Sequence, residues 1–302
     1  MIRKVVEVLP VVLGMATLGA PGLIHAVETE LVARGRYVFA LAGGCGCHTA
    51  EGGPVNAGGR PLKTPYGTFY GTNITPDPTY GIGHWTDRQI IDSIRLGVRP
   101  DGSALSPVMP YPAFSGMSDG DVTALVAYLR SVPAVARANQ PHALSLPFAG
   151  VAMRVWRWLF FTPGTAPVRA PTAGLPRGQY ISEHVAHCQE CHTPRTRTGT
   201  LDRSLYLAGN QAGIDGEVTP NITPDAETGI GEWSEDEIVS LLQTGFRPNF
   251  DNVQGLMELV IEGVREGGYK DMSKEDALAV ARYLKSVPPV VHRVEKDKRP
   301  GE

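Results

Sequence analysis

The sequence predicts a mainly α protein of two tandem domains, each a set of short helices joined by long loops. Three observations predict it. Segments of the first half recur in the second; helix-start signals fall in matching pairs along that repeat; and 35 glycines and 25 prolines among 302 residues, with 7% aromatics, supply many turns between helices.

The repeat is direct. Asn73-Ile74-Thr75-Pro76-Asp77 returns as Asn221-Ile222-Thr223-Pro224-Asp225, and Gly81-Ile82-Gly83 as Gly229-Ile230-Gly231. Trp85, Gly97 and Arg99-Pro100 return at the same offset as Trp233, Gly245 and Arg247-Pro248. Tyr128-Leu129-Arg130-Ser131-Val132-Pro133 matches Tyr283-Leu284-Lys285-Ser286-Val287-Pro288 at a slightly longer one. A repeat unit this long is a duplicated domain, not a solenoid. Residues 27–133 and 173–290 are read as the two domains, 134–172 as a connector and 291–302 as a charged tail.

The helices follow from local signals. Thr86-x-x-Gln89 and Ser234-x-x-Glu237 are capping boxes that open a helix after each repeated tryptophan. Ser118 and Ser273 open the last helix of each half, and Val122, Leu125, Val126 and Leu129 give the first of these one apolar stripe. A helix leads into each cysteine motif, from about Glu30 and about Gly178. In the connector, Leu144-Ser145-Leu146-Pro147-Phe148 precedes a run from Val151 to Phe161 holding Trp156, Trp158, Phe160 and Phe161, with Arg154 and Arg157 between them. It reads as a helix packed in the crevice between the domains; the alternative is an interfacial helix facing a membrane or partner subunit. Little sheet is expected.

The first 26 residues read as an export signal. Arg3 and Lys4 precede an apolar stretch from Val8 to Ile24, which closes at Ala26 before Glu28-Thr29-Glu30. An N-terminal membrane anchor is the alternative. Both readings place the domains in the periplasm.

The chemistry lies with the cysteines. All four fall in two motifs, Cys188-Gln189-Glu190-Cys191-His192 and Cys45-Gly46-Cys47-His48. C-x-x-C-H is the spacing of covalent c-type haem attachment, in which two thiols add to the porphyrin vinyls and the next imidazole ligates iron. Zinc would need four nitrogen or sulfur ligands from neighbouring pairs, and a disulfide gives the following histidine no role. Two covalently attached haem c groups are therefore expected, with His48 and His192 as proximal iron ligands.

Methionine is the natural distal ligand for a carrier, and the repeat offers two pairs. Met117 and Met272 stand immediately before the serine caps, where an apolar residue staples onto the helix against Val122 and Ala277. Met109, in Pro107-Val108-Met109-Pro110, has no such task, so Met109 and Met257 are the expected distal ligands. His84 faces Glu232 in the repeat, and His184 and His187 precede their own motif; these three are read as surface or packing residues.

The first motif is one residue short between its cysteines, judged by the run from Tyr37 to His48 against that from Tyr180 to His192. Three arrangements follow: two thioethers on a loop eased by Gly43, Gly44 and Gly46, a single thioether through Cys47, or a site without haem. A net charge of -3 gives no ground for a nucleic-acid partner, and no acid–base pair, nucleophile or phosphate loop is evident.

With these residues assembled, the chain resembles the di-haem class I cytochrome c family and is similar to the cytochrome subunits of alcohol and gluconate dehydrogenases. The resemblance is carried by Gly58-Gly59-Arg60-Pro61, Gly67-Thr68, Asn73-Ile74-Thr75-Pro76-Asp77, Gly81-Ile82-Gly83, Trp85, Met109-Pro110-Tyr111 and Leu146-Pro147-Phe148. It implies two class I cytochrome c domains with loops around haem, and a distal ligand at the methionine of the Met-Pro-Tyr segment. It also implies electron transfer from a periplasmic dehydrogenase or membrane redox complex to another cytochrome or terminal oxidase. Those subunits carry three C-x-x-C-H motifs and a C-terminal membrane helix, whereas this sequence holds two motifs and closes on charged residues. A haem enzyme of peroxidase or thiosulfate-oxidising type, or a subunit with one active haem in a larger membrane complex, is the rival expectation.

Overall fold

A glycine decides how the terminal helices of each half meet. The computed structural model describes residues 21–44, 46–145, 149–264 and 267–294. Helix α1 (Pro21–Leu41) crosses α4 (Asp119–Ser131) so closely that a Cβ at Gly35 would lie 1.9 Å from the Ala124 carbonyl oxygen. In the second half, α6 (Gly174–Tyr180) crosses α10 (Lys274–Ser286) with the same contact, Gly178 against the Ala279 oxygen at 1.9 Å. Any side chain at either crossing would push the helices apart.

The expected caps form. Both capping boxes are complete, opening α2 (Asp87–Leu96) and α8 (Glu235–Thr244), and left-handed Gly97 and Gly245 close those helices. Ser118 and Ser273 cap α4 and α10 by accepting from the backbone N–H groups of Asp121 and Asp276. The apolar stripe of α4 is buried, as are Ala277, Val280, Ala281 and Leu284 on α10. Met117 and Met272, directly before the two serines, are buried in the core.

Each half completes a helix cap of the other. Tyr37 of α1 donates its hydroxyl hydrogen to Asp276 at 2.7 Å and accepts from the Ser273 N–H at 3.1 Å. Tyr180 of α6 does the same in reverse, donating to Asp121 at 2.7 Å and accepting from the Ser118 N–H at 3.0 Å. Each aspartate also pairs with an arginine of its own half, Arg34 with Asp121 and Arg177 with Asp276. The two halves are thereby joined by a pair of equivalent exchanges.

The sheet is as small as expected, and one other feature departs from expectation. A small antiparallel sheet joins β1 (Pro61–Thr64), β2 (Gly67–Tyr70) and β3 (Ala143–Leu144), with Leu62 opposite Phe69, both buried. Its strands are too short for alternation to be read from the sequence. Helix α5 (Ala149–Phe160) does not lie inside a crevice: none of its residues is buried, and Trp158 is 82% exposed. It spans both halves from outside. The Arg157 guanidinium donates to the Leu96 carbonyl, and the Trp156 indole donates to the Thr198 carbonyl. Val151, Val155, Trp158 and Leu159 form its outward stripe.

Helix α1 runs through Ala26 without a break. Residues 1–20 of the expected signal, Leu146-Pro147-Phe148 and the tail from residue 295 lie outside the described residues. Among the described residues, no helix is long and apolar enough to cross a membrane.

Replacing Tyr180 or Tyr37 by Phe is expected to cost about 2 kcal/mol, because a carboxylate loses a donor and a backbone N–H its acceptor; denaturant unfolding of the intact chain reads this. Acid should act through Asp276. Burial alone would raise its carboxyl, but Arg177 and Tyr37 outweigh that and hold it below the usual range. Its stabilising contribution is present above about pH 4, where the unfolded carboxyl is ionised, and is lost as pH falls through the folded-state value. Asp276→Asn should therefore lower stability at neutral pH and flatten the acid limb of the stability profile.

Candidate functional site

The second motif sits where a helical run is forced to turn. After α6 the chain widens into one π turn, Ile181–Val185, and His187 then takes a left-handed conformation with φ of 44°. A non-glycine residue holds that conformation at a cost of about 1–2 kcal/mol. The turn throws Cys188–His192 (α7) onto a new axis, presenting Cys188, Cys191 and His192 from a single helical turn. In the first half, left-handed Gly44 precedes the cysteines, and a short 3-10 turn, Gly46–His48, carries Cys47 and His48. Cys45 lies outside the described residues.

Both histidines are held by the same device. His192 Nδ1 meets the Pro220 carbonyl oxygen at 2.8 Å, and His48 Nδ1 meets the Thr72 oxygen at 2.7 Å. A carbonyl accepts only from N–H, so the proton sits on Nδ1 and the Nε2 lone pair is left to bind a metal. Burial lowers both imidazoles, with the carbonyl opposing in part, which keeps them neutral as ligation requires. The donor set thus fits a haem iron bound through Nε2.

The repeated Asn-Ile-Thr-Pro-Asp segments explain how those carbonyls are fixed. Asn221 directly follows Pro220; its Oδ1 accepts from Thr223 N–H and Oγ1–H, while its amide donates to Thr228 Oγ1 and the Val290 carbonyl. Asn73, directly after Thr72, binds Thr75 in the same way and donates to the Val135 and Arg137 carbonyls. Each asparagine ties the histidine-orienting carbonyl to the chain leaving the last helix. The repeat was evident in the sequence, but the task of these side chains was not.

The thiols of Cys188 and Cys191 are pushed up to about 12, chiefly by burial. A smaller upward push on Cys191 comes from Cys47 of the first motif.

Met109 and Met257 are partly buried and packed against the core. Met109 lies in the loop before α3 (Tyr111–Phe114), and Met257 lies within α9 (Gly255–Glu262). Tyr111 is fully buried with a hydroxyl lacking a protein partner. His84 is exposed, while His184 Nδ1 meets the Ala113 carbonyl of the first half at 3.0 Å. His187 is set edge-on to Phe114, with ring centroids 5.3 Å apart. The last two thus serve the contact between halves. Among the described residues, no group of three or more His, Cys, Asp or Glu side chains is gathered to hold a metal ion.

A family model described as Cytochrome c matches residues 32–133. The chain is 38% identical over 286 residues to the alcohol dehydrogenase (quinone) cytochrome c subunit of Gluconobacter oxydans, covering 89% of this chain and 58% of that subunit. It is 37% identical over 293 residues to the gluconate 2-dehydrogenase cytochrome c subunit of Pantoea cypripedii, covering 93% of this chain and 65% of that one. With the diheme cytochrome c-type protein of Cereibacter sphaeroides it shares 36% identity over 274 residues, covering 88% and 89% of the two chains. The chain thus spans well over half, but less than two thirds, of the dehydrogenase subunits.

Asn221→Ala should cost on the order of 3 kcal/mol, since it strands several buried partners. Chemical denaturation measures the loss, and a changed iron-ligand spectrum should accompany it as the Pro220 carbonyl loosens.

Proposed function

Because this chain belongs to the class I cytochrome c family, we propose that it is a periplasmic di-haem electron carrier. It is an electron-transfer cytochrome with covalently bound haem c. On the proposed reading, residues 27–133 and 173–290 form one haem domain each. Electrons enter from a periplasmic dehydrogenase or membrane redox complex and leave to another cytochrome or a terminal oxidase. The dehydrogenase subunits among its relatives support such a donor.

The observation that carries the reading is the duplicated histidine arrangement. Both halves place an imidazole next to a cysteine and engage its Nδ1 with a loop carbonyl at 2.7 or 2.8 Å. A metal-bound histidine needs that arrangement, and finding it twice supports two haems. Haem, when bound, supplies the one-electron chemistry. The chain's own residues would hold and tune it: Cys188 and Cys191 would anchor the second group, Cys47 with Cys45 or alone the first, and His48 and His192 would bind the iron through Nε2. Met109 and Met257 would supply the further ligand, a thioether that favours reduced iron. Were both a histidine and a methionine to hold each iron, as the repeat suggests, electron transfer rather than substrate chemistry would be the fitting task.

Intact mass under denaturing conditions, with a pyridine haemochrome spectrum of the same sample, tests this. Two haems per chain are expected, and a red-shifted component would show single attachment at the first motif. One haem per chain would overturn the two-centre reading. Met109→Ala and Met257→Ala should each remove one methionine–ferric iron absorption, open one iron to carbon monoxide and lower one midpoint potential.

A further inference from the structure

The segment leading into each attachment motif, with Gly46 inside the first, packs on the other half, against the segment that follows that half's methionine. The first does so through glycines. A Cβ at Gly43 would lie 3.3 Å from Val260 Cγ2, one at Gly46 would lie 2.7 Å from Leu259 Cδ2, and one at Gly44 would lie 1.7 Å from the Gly267 carbonyl oxygen. Leu259 and Val260 belong to α9, the helix that carries Met257. In the opposite direction, His184 and His187 meet Ala113 and Phe114, which follow Met109.

Helix α9 is held at its start by the Glu217 carboxylate, which accepts from the Leu256 N–H, while its Leu259–Val260 edge rests on the first half. It spans 8 residues, has no side-chain bond at its N-cap, and buries only Ile261 fully. A helix so short is unstable by itself and takes its position from what it packs against. Gly46, which a Cβ would drive into Leu259, stands between the cysteines of the shortened motif. The full-length motif has Gln189 and Glu190 there instead, with Glu190 paired to Arg195. A motif of that length and bulk would not let α9 approach.

We infer that the shortened glycine motif of the first half is the seat for α9, and that Gly43, Gly44 and Gly46 are positioning residues for Met257. The first attachment loop thereby helps to hold the distal ligand of the second haem. The missing residue is the adaptation that brings the two surfaces together. This deepens the di-haem reading above and rests on it.

The test uses the haem-loaded full chain and follows the methyl resonance of iron-bound Met257 in the reduced state. Ring current moves that signal far upfield, and its loss in Met257→Ala assigns it. Gly46→Val drives a side chain into Leu259; the upfield signal should weaken or vanish and carbon monoxide binding at the second haem should rise. Adding Leu259→Ala makes room for the valine and should recover the signal, which general destabilisation would not predict. A parental Met257 signal in Gly46→Val with both haems present overturns the inference, as does a double variant no better than the single one. Should Gly46→Val fail to retain its first haem, Leu259→Phe presses the same contact from the second half. A parental signal there overturns the inference equally. If the unmodified protein shows no shifted Met257 signal, the ligand reading itself fails and the inference falls with it.

Discussion

The exchange of tyrosine hydroxyls between halves is the interaction on which the remainder of the molecule rests. Ser118 and Ser273 cap the last helix of their own half, yet the N–H of each serine donates to a tyrosine of the other half, and the aspartate three residues on, already paired with an arginine of its own half, accepts from that same tyrosine. Those tyrosines lie on the helices that lead into the cysteine motifs, two residues beyond the glycine crossings. One set of bonds therefore fixes the helix start, the angle at which the attachment segment arrives, and the relation of one half to the other. Loss of either hydroxyl leaves buried polar groups facing a carboxylate that has already given up its water.

Much of this was legible in the chain. Pairs of capping boxes, the serine caps and the α4 stripe were readable because they depend on neighbours within a few residues. The C-x-x-C-H spacing was readable for the same reason, and it is what carries the proposal of covalent haem attachment. The choice between methionine pairs rested on a staple argument that the core placement of Met117 and Met272 matches. Contacts between halves were not legible. Nothing local to Tyr37 indicates that its partner is Asp276, and the repeat makes Asp121 look equally suitable.

Helix α5 went wrong for an instructive reason. A run rich in Trp and Phe suggests burial when read by composition, but its arginines already signalled contact with solvent or backbone carbonyls. Arg157 reaches the open carbonyl of Leu96 at the end of α2, and its guanidinium lies over Phe161. The helix straps the halves together by a few polar bonds at its inner edge and leaves its apolar stripe outside. Little sheet was expected and little forms; where it forms was not legible, because β3 is two residues long and its partner is one no alternation pattern could reveal.

Two like domains joined end to end are commonly independent, but here the tyrosine exchange gives the chain a direction in time. Tyr37 and Asp276 are 239 positions apart, so the first half emerges with its entry helix already made and its partner not yet synthesised. Loop-closing contacts of that span form late in folding. Until α10 arrives, the surface that Tyr37 serves stays open. The cap at Ser273 and the seat of Tyr37 are thus completed together, and only when the last helix docks.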